Sequence, residues 1–124
     1  MINMNELIYK IAIVDDDDYW LNLVEERLKK ENKSLNISLF SDFEVFYKFN
    51  DISKFDYIIT DFHFGNYNIS MLDLNNIFKS FKGIILVITG NPNMIEDTVL
   101  FEKIINKSNI VKPTFKFSRY LKIT

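Results

Sequence analysis

Asp15, Asp16, Asp61, Thr89 and Lys112 lie far apart in the chain, yet their side chains suit a single piece of chemistry. Each acid, hydroxyl or amine follows a short apolar run: IAIV before Asp15, IIT before Asp61, IILVI before Thr89 and NIV before Lys112. If those runs are parallel strands of one sheet, three carboxylates, a hydroxyl and an ammonium converge on one edge. Crowded carboxylates raise each other's proton affinity. At about 4 Å and an effective dielectric near 20, each like-charge pair costs roughly 4 kcal/mol. A divalent, oxygen-preferring cation and a lysine offset that repulsion. Mg²⁺ fits, with Mn²⁺ as its substitute, because it takes carboxylate and water oxygens and leaves positions open for a phosphate. The pattern therefore points to phosphoryl chemistry.

Each piece alone has a plainer reading. Asp15–Asp18 suits the start of a helix, where acids face the positive end of the helix dipole. Thr89 alone is a strand-end hydroxyl, Lys112 a surface charge, and Asp61 a loop cap. Their joint order favours one shared site over independent accidents.

The elements that must position these residues alternate along the chain. Strands are predicted at Tyr9–Asp15, Asn36–Phe40, Asp56–Asp61, Gly83–Thr89 and Asn109–Lys112. A helix over Asp18–Glu31 follows from Leu21, Val24 and Leu28 recurring on one face. Ser41 to Glu44 reads as a capping box opening a second helix, with Val45, Phe46 and Phe49 as its apolar face. Leu74, Ile77, Phe78 and Phe81 mark a third, and Asn91-Pro92 starts a fourth carrying Ile95 and Val99. Phe115–Ile123 is a short fifth. Five strands alternating with five helices imply an α/β fold with a parallel sheet covered on both faces. In such sheets ligands bind beyond the carboxyl ends of the strands.

Composition narrows the function classes. The 124 residues form one ordinary domain, 48% hydrophobic and 26% charged. Fifteen basic residues against 17 acidic ones argue against direct nucleic-acid binding. No cysteine is present, which excludes disulfides and thiolate metal sites and suits a cytoplasmic protein. The longest apolar run, Ile84–Ile88, is far below the ~20 residues of a membrane span, and Met1–Lys10 does not read as a signal peptide.

IVDD at Ile13–Asp16, ITD at Ile59–Asp61, VITG at Val87–Gly90 and VKP at Val111–Pro113 together resemble the response-regulator receiver family of two-component signalling. The resemblance spans Tyr9 to about Lys122. It implies a flavodoxin-like, doubly wound (βα)5 fold with strand order 2-1-3-4-5. It also implies that Asp61 accepts the phosphoryl group. Asp15, Asp16, Asp61 and the backbone carbonyl of His63 would hold Mg²⁺, and Thr89 and Lys112 would bond the phosphoryl oxygens. A cis peptide is implied at Lys112–Pro113. The implied donor is a histidine kinase or histidine phosphotransfer protein, and the implied output is contact with a downstream protein. Such a domain is not an enzyme toward other substrates. Only eleven residues follow Pro113, so residues 1–124 are expected to be a single receiver domain without an output domain.

The sequence departs from the family pattern in places. Gly65 stands where a proline is usual, Asn68 and Ile69 replace the usual Asp-Gly, and Asn109 occupies a position that is usually aromatic. These changes support an alternative in which the chain is a phosphorylation-independent adaptor, which the intact Asp15, Asp16, Asp61, Thr89 and Lys112 oppose. Phe62, Phe64 and Tyr67 offer a contact surface beside the acceptor, with core burial as the plainer reading. His63 is expected to contribute its carbonyl only, although its side chain and Asn91 could tune hydrolysis. A haloacid-dehalogenase-like phosphatase would use Asp15 and Asp17, but it needs acids after its lysine, and none follows Lys112.

Overall fold

The computed structural model describes residues 8–49, 51–61, 76, 78–90 and 103–124. Its centre is a five-stranded parallel sheet in the order β2-β1-β3-β4-β5. The strands are β1 (Lys10–Val14), β2 (Asn36–Phe40), β3 (Tyr57–Thr60), β4 (Ile84–Thr89) and β5 (Lys103–Asn106). Helix α1 spans Asp18–Glu31 and α2 spans Phe43–Phe49.

Side chains alternate across the sheet and build two cores. Ile11, Ile13, Ile59, Leu86 and Ile88 pack on one face with Leu21, Val24 and Leu28 of α1. Ala12, Val14, Ile58, Ile85 and Val87 pack on the other with Phe43, Phe46 and Phe78. Burial on both faces explains why β1, β3 and β4 read as unbroken apolar runs rather than alternating ones. The α/β class, the strand order and the covering of both faces agree with the sequence-based expectation.

Several local expectations are corrected. Helix α2 is capped by Asp42, whose side chain accepts from Val45 N at 3.1 Å, and not by Ser41. Phe43 takes the core place expected of Val45, which is exposed. The fifth strand is Lys103–Asn106, six residues earlier than predicted. The segment expected to be that strand begins instead within a one-turn helix, Lys107–Ile110. No cis peptide occurs among the described residues, including Lys112–Pro113. In place of a last helix over Phe115–Ile123, the chain makes a single 3-10 turn at Phe117–Arg119.

That tail still closes the core on the α1 side, through Phe117, Leu121 and Ile123. Side chains of α1 and the residue that ends it grip its backbone. Glu31 accepts from Phe117 N at 2.7 Å and Ser118 N at 3.0 Å. Arg27 donates to the carbonyls of Lys112 and Phe115, and Asn32 donates to that of Ile123. The third and fourth predicted helices fall largely outside the described residues; Asn76 and Phe78 are helical. No helix among the described residues is long and apolar enough to cross a membrane.

Candidate functional site

Sheet register brings the acids together. Val14 of β1 lies opposite Phe40 of β2 and Thr60 of β3. One residue further, Asp15 N donates to Phe40 O at 3.0 Å and Asp61 N donates to Val14 O at 2.9 Å. The ladder thus runs one step past the strands and fixes the backbones of both acids side by side at the carboxyl edge. Thr89 closes β4 opposite Asn106, the last residue of β5. Lys107 therefore emerges at the same edge.

Asp15 is fully buried, Asp61 nearly so, and Asp16 is exposed. One carboxylate oxygen from each lies within 4.8 Å of the others. Lys107 Nζ sits 2.8 Å from Asp15 Oδ2 and 3.1 Å from Asp61 Oδ2. Asp15 Oδ1 accepts from Asp17 N at 2.9 Å, which sets the carboxylate's orientation. Asp15 Oδ2 is buried and, although close to the ammonium, makes no aligned hydrogen bond. A buried carboxylate oxygen left in that state is suited to a cation.

Electrostatics follow from this geometry. Burial pushes Asp15 up to about 6, against the opposing pull of the Lys107 ammonium and the Asp17 amide; the Asp61 charge adds to the rise. For Lys107, burial works against the charged form, but the two carboxylates outweigh it and the ammonium is held above its usual range. Buried Asp15 and Asp61 against one ammonium leave an excess of negative charge, and exposed Asp16 adds to it at the rim. The donor set is all oxygen, and the acids are close enough to share one ion, so Mg²⁺ or Mn²⁺ fits these residues.

The structure brings Asp15, Asp16 and Asp61 together, and it puts Thr89 on the same edge. It does not bring Lys112 there. Lys112 is exposed and its ammonium donates to Asn109 Oδ1 at 3.0 Å. The lysine at the site is Lys107, which the sequence reading passed over. Two short runs end in lysine, IIN-Lys107 and NIV-Lys112, and only the second is followed by the proline that the family resemblance uses. Pairing of Ile104 and Ile105 with Val87 and Ile88 decides for the first. Asn106 supports it, since its side chain accepts from Ser108 N and turns the chain immediately after the strand. With the lysine at 107, the residue three places earlier is Ile104 and not Asn109. Trp20 was also missed; its ring centroid lies 5.0 Å from Lys107 Nζ. His63, Asn91 and the 62–69 loop residues, among them Phe62, Phe64, Gly65, Tyr67, Asn68 and Ile69, lie outside the described residues.

No protein-family model matches the sequence, and no curated protein matches it. Solved structures do match. A response regulator receiver domain protein of Bacillus halodurans superposes with a TM-score of 0.67 at 14% identity, covering 92% of this chain and 91% of that one. The chain has the receiver-domain fold. The beryllofluoride-activated receiver domain of DrrB gives a TM-score of 0.60 at 21% identity, over 82% of this chain and 86% of that one. A response regulator of Burkholderia pseudomallei, solved with a phosphorylated aspartic acid and a calcium ion, gives 0.57 at 17% identity, over 94% of this chain and 66% of that one. At these identities the receiver likeness is one of fold, and the reading of the site rests on its own residues.

Proposed function

We propose that the chain is a signalling domain that accepts a phosphoryl group on Asp61. The observation that carries this reading is the meeting of Asp15, Asp16 and Asp61 with the Lys107 ammonium at the carboxyl edge of the sheet. Asp15, Asp16 and Asp61, with the backbone carbonyl of His63, would hold Mg²⁺. When bound, the ion supplies charge neutralisation for the incoming phosphoryl oxygens.

The donor would be a phosphohistidine of a histidine kinase or phosphotransfer protein. A carboxylate oxygen of Asp61 attacks phosphorus in line with the leaving imidazole. The new O–P bond forms as the P–N bond breaks, and the bonding pair leaves with the ring nitrogen. The transition state is loose, so positioning and charge neutralisation supply most of the acceleration. Lys107 does both: it orients Asp61 before transfer and faces the phosphoryl oxygens afterwards. Thr89 is the hydroxyl on the same edge that would bond the modified group. No turnover of an external substrate is involved. Shifting a two-state switch from 1:99 to 99:1 takes roughly 5.5 kcal/mol of differential stabilisation, which new bonds to Lys107, Thr89 and backbone amides would supply.

Phosphoramidate, a small P–N donor, with Mg²⁺ tests the reading directly. The intact protein should gain the mass of one phosphoryl group, and Asp61→Ala should not. A wild-type protein that stays unmodified, and that binds no beryllofluoride in the presence of Mg²⁺, would leave the phosphorylation-independent adaptor as the better account.

A further inference from the structure

Lysine is a poor tool for fixed geometry unless something holds it. Its ammonium is a point charge on four rotatable methylenes, with much rotamer entropy to lose. Two carboxylates contact the Lys107 ammonium, at 2.8 and 3.1 Å. Both belong to groups that the proposed reaction changes: Asp61 becomes an acyl phosphate, and Asp15 would be committed to the cation. Carboxylates alone would therefore leave the amine to partners whose positions change during the transfer.

Trp20 supplies a restraint that the reaction does not consume. Its ring centroid is 5.0 Å from Lys107 Nζ, within cation–π range, and the Lys107 side chain is only 12% exposed. The backbone that carries the ring is set in the first turn of α1, and the ring itself has one aromatic neighbour. Trp20 N donates to Asp17 O at 3.0 Å in the first turn of α1, and Tyr19 packs edge-on at 5.1 Å. The same Asp17 donates its N–H to Asp15 Oδ1. One short turn thus orients both the buried carboxylate and the aromatic face that bracket the ammonium.

We infer that Trp20 is a positioning residue for phosphoryl acceptance, holding the Lys107 ammonium at Asp61 through its ring face. The inference rests on the acceptor reading of Asp61. Its action is on Lys107, so an aromatic replacement should preserve it and an aliphatic one of similar bulk should not.

The test uses the full chain as wild type, Trp20→Phe and Trp20→Leu, each checked for cooperative thermal unfolding. Two readouts are taken: the rate of modification by phosphoramidate with Mg²⁺, and the proton shifts of the Lys107 side-chain methylenes. Wild type should show upfield ring-current shifts at Lys107; Trp20→Phe should keep them in part and Trp20→Leu should lose them. Trp20→Leu should lower the maximal modification rate about tenfold with little change in half-saturation, and Trp20→Phe should restore it to within about threefold. A folded Trp20→Leu that is modified at the wild-type rate overturns the inference and leaves the acceptor reading standing. So does a Lys107 whose methylene shifts ignore the substitution. If both variants fall equally in rate and stability, Trp20 is a packing residue and the inference fails. A wild-type protein that takes no phosphoryl group sinks the acceptor reading and the inference with it.

Discussion

At the scale of single residues, Lys107 and Lys112 make the sharpest contrast. Lys107→Ala removes the one ammonium that, among the described residues, lies against two buried acids. Breaking a buried pair by deleting one partner costs about 3 kcal/mol or more, unless the acids take up a proton or a cation. Lys107→Ala should therefore lower the metal-free thermal midpoint clearly and slow modification by phosphoramidate at least a hundredfold. Lys112→Ala, on the surface, should change stability by no more than about 0.5 kcal/mol and leave the rate alone. Equal effects of the two substitutions would contradict the site described here. Asp15 gives a pH prediction. Burial raises its folded value to about 6 from 3.8, so between those values the folded protein keeps a proton that the unfolded chain releases. In EDTA, stability contributed by this group should fall as pH rises from about 4 to 6 and level off above; at 1.36 kcal/mol per unit the loss is about 3 kcal/mol. Urea unfolding across that window should show a flatter profile for Asp15→Asn. Asp15, Asp16, Asp61 and Thr89 were legible because each stands at the end of an apolar run that survives as a strand. Lys107 was not, because β5 offers only Ile104 and Ile105 as its apolar content, too little to outweigh a Lys-Pro pair five residues later.

At the scale of elements, interior strands and the long amphipathic helix were readable, and edges and tail were not. β1, β3 and β4 are buried on both faces, so hydrophobicity alone marks them; β5 lies at an edge, half exposed, and carries little signal. The sequence predicts a short helix over Phe115–Ile123. Phe117, Leu121 and Ile123 do bury, but along a chain that makes only short turns of its own and is tied down by α1. The polar contacts of Arg27, Glu31 and Asn32 to it are long-range and leave no local pattern. They do predict a measurable cost. Glu31→Ala leaves two tail amides without their acceptor and should destabilise the fold by about 1–3 kcal/mol, read from urea unfolding. The paired surface substitutions Glu26→Ala and Lys30→Ala, which break an exposed ion pair at 3.5 Å, should each cost no more than about 1 kcal/mol.

At the scale of the whole molecule, a cation should act as a folding ligand. The three acids converge only in the folded state, where the sheet register aligns Asp15 with Asp61. Mg²⁺ that binds only that state stabilises it by about 2.7 kcal/mol at a hundred times its dissociation constant. Thermal midpoints should therefore rise with Mg²⁺ concentration and fall back with EDTA, and Asp15→Asn should abolish most of the rise. A midpoint indifferent to Mg²⁺ in the wild-type protein would argue that the carboxylates do not form an ion site.

The grip of α1 on the C-terminal segment carries a lesson about substitution. The hydrogen bonds from Glu31, Arg27 and Asn32 to that segment all go to its main-chain atoms. Recognition of that kind is indifferent to which amino acid passes through, provided it brings an amide hydrogen. Ser118→Lys should accordingly be nearly silent, whereas Ser118→Pro, which deletes the donor to Glu31, should loosen the chain's end. The outer surface here is thus free to drift in composition while its path stays the same.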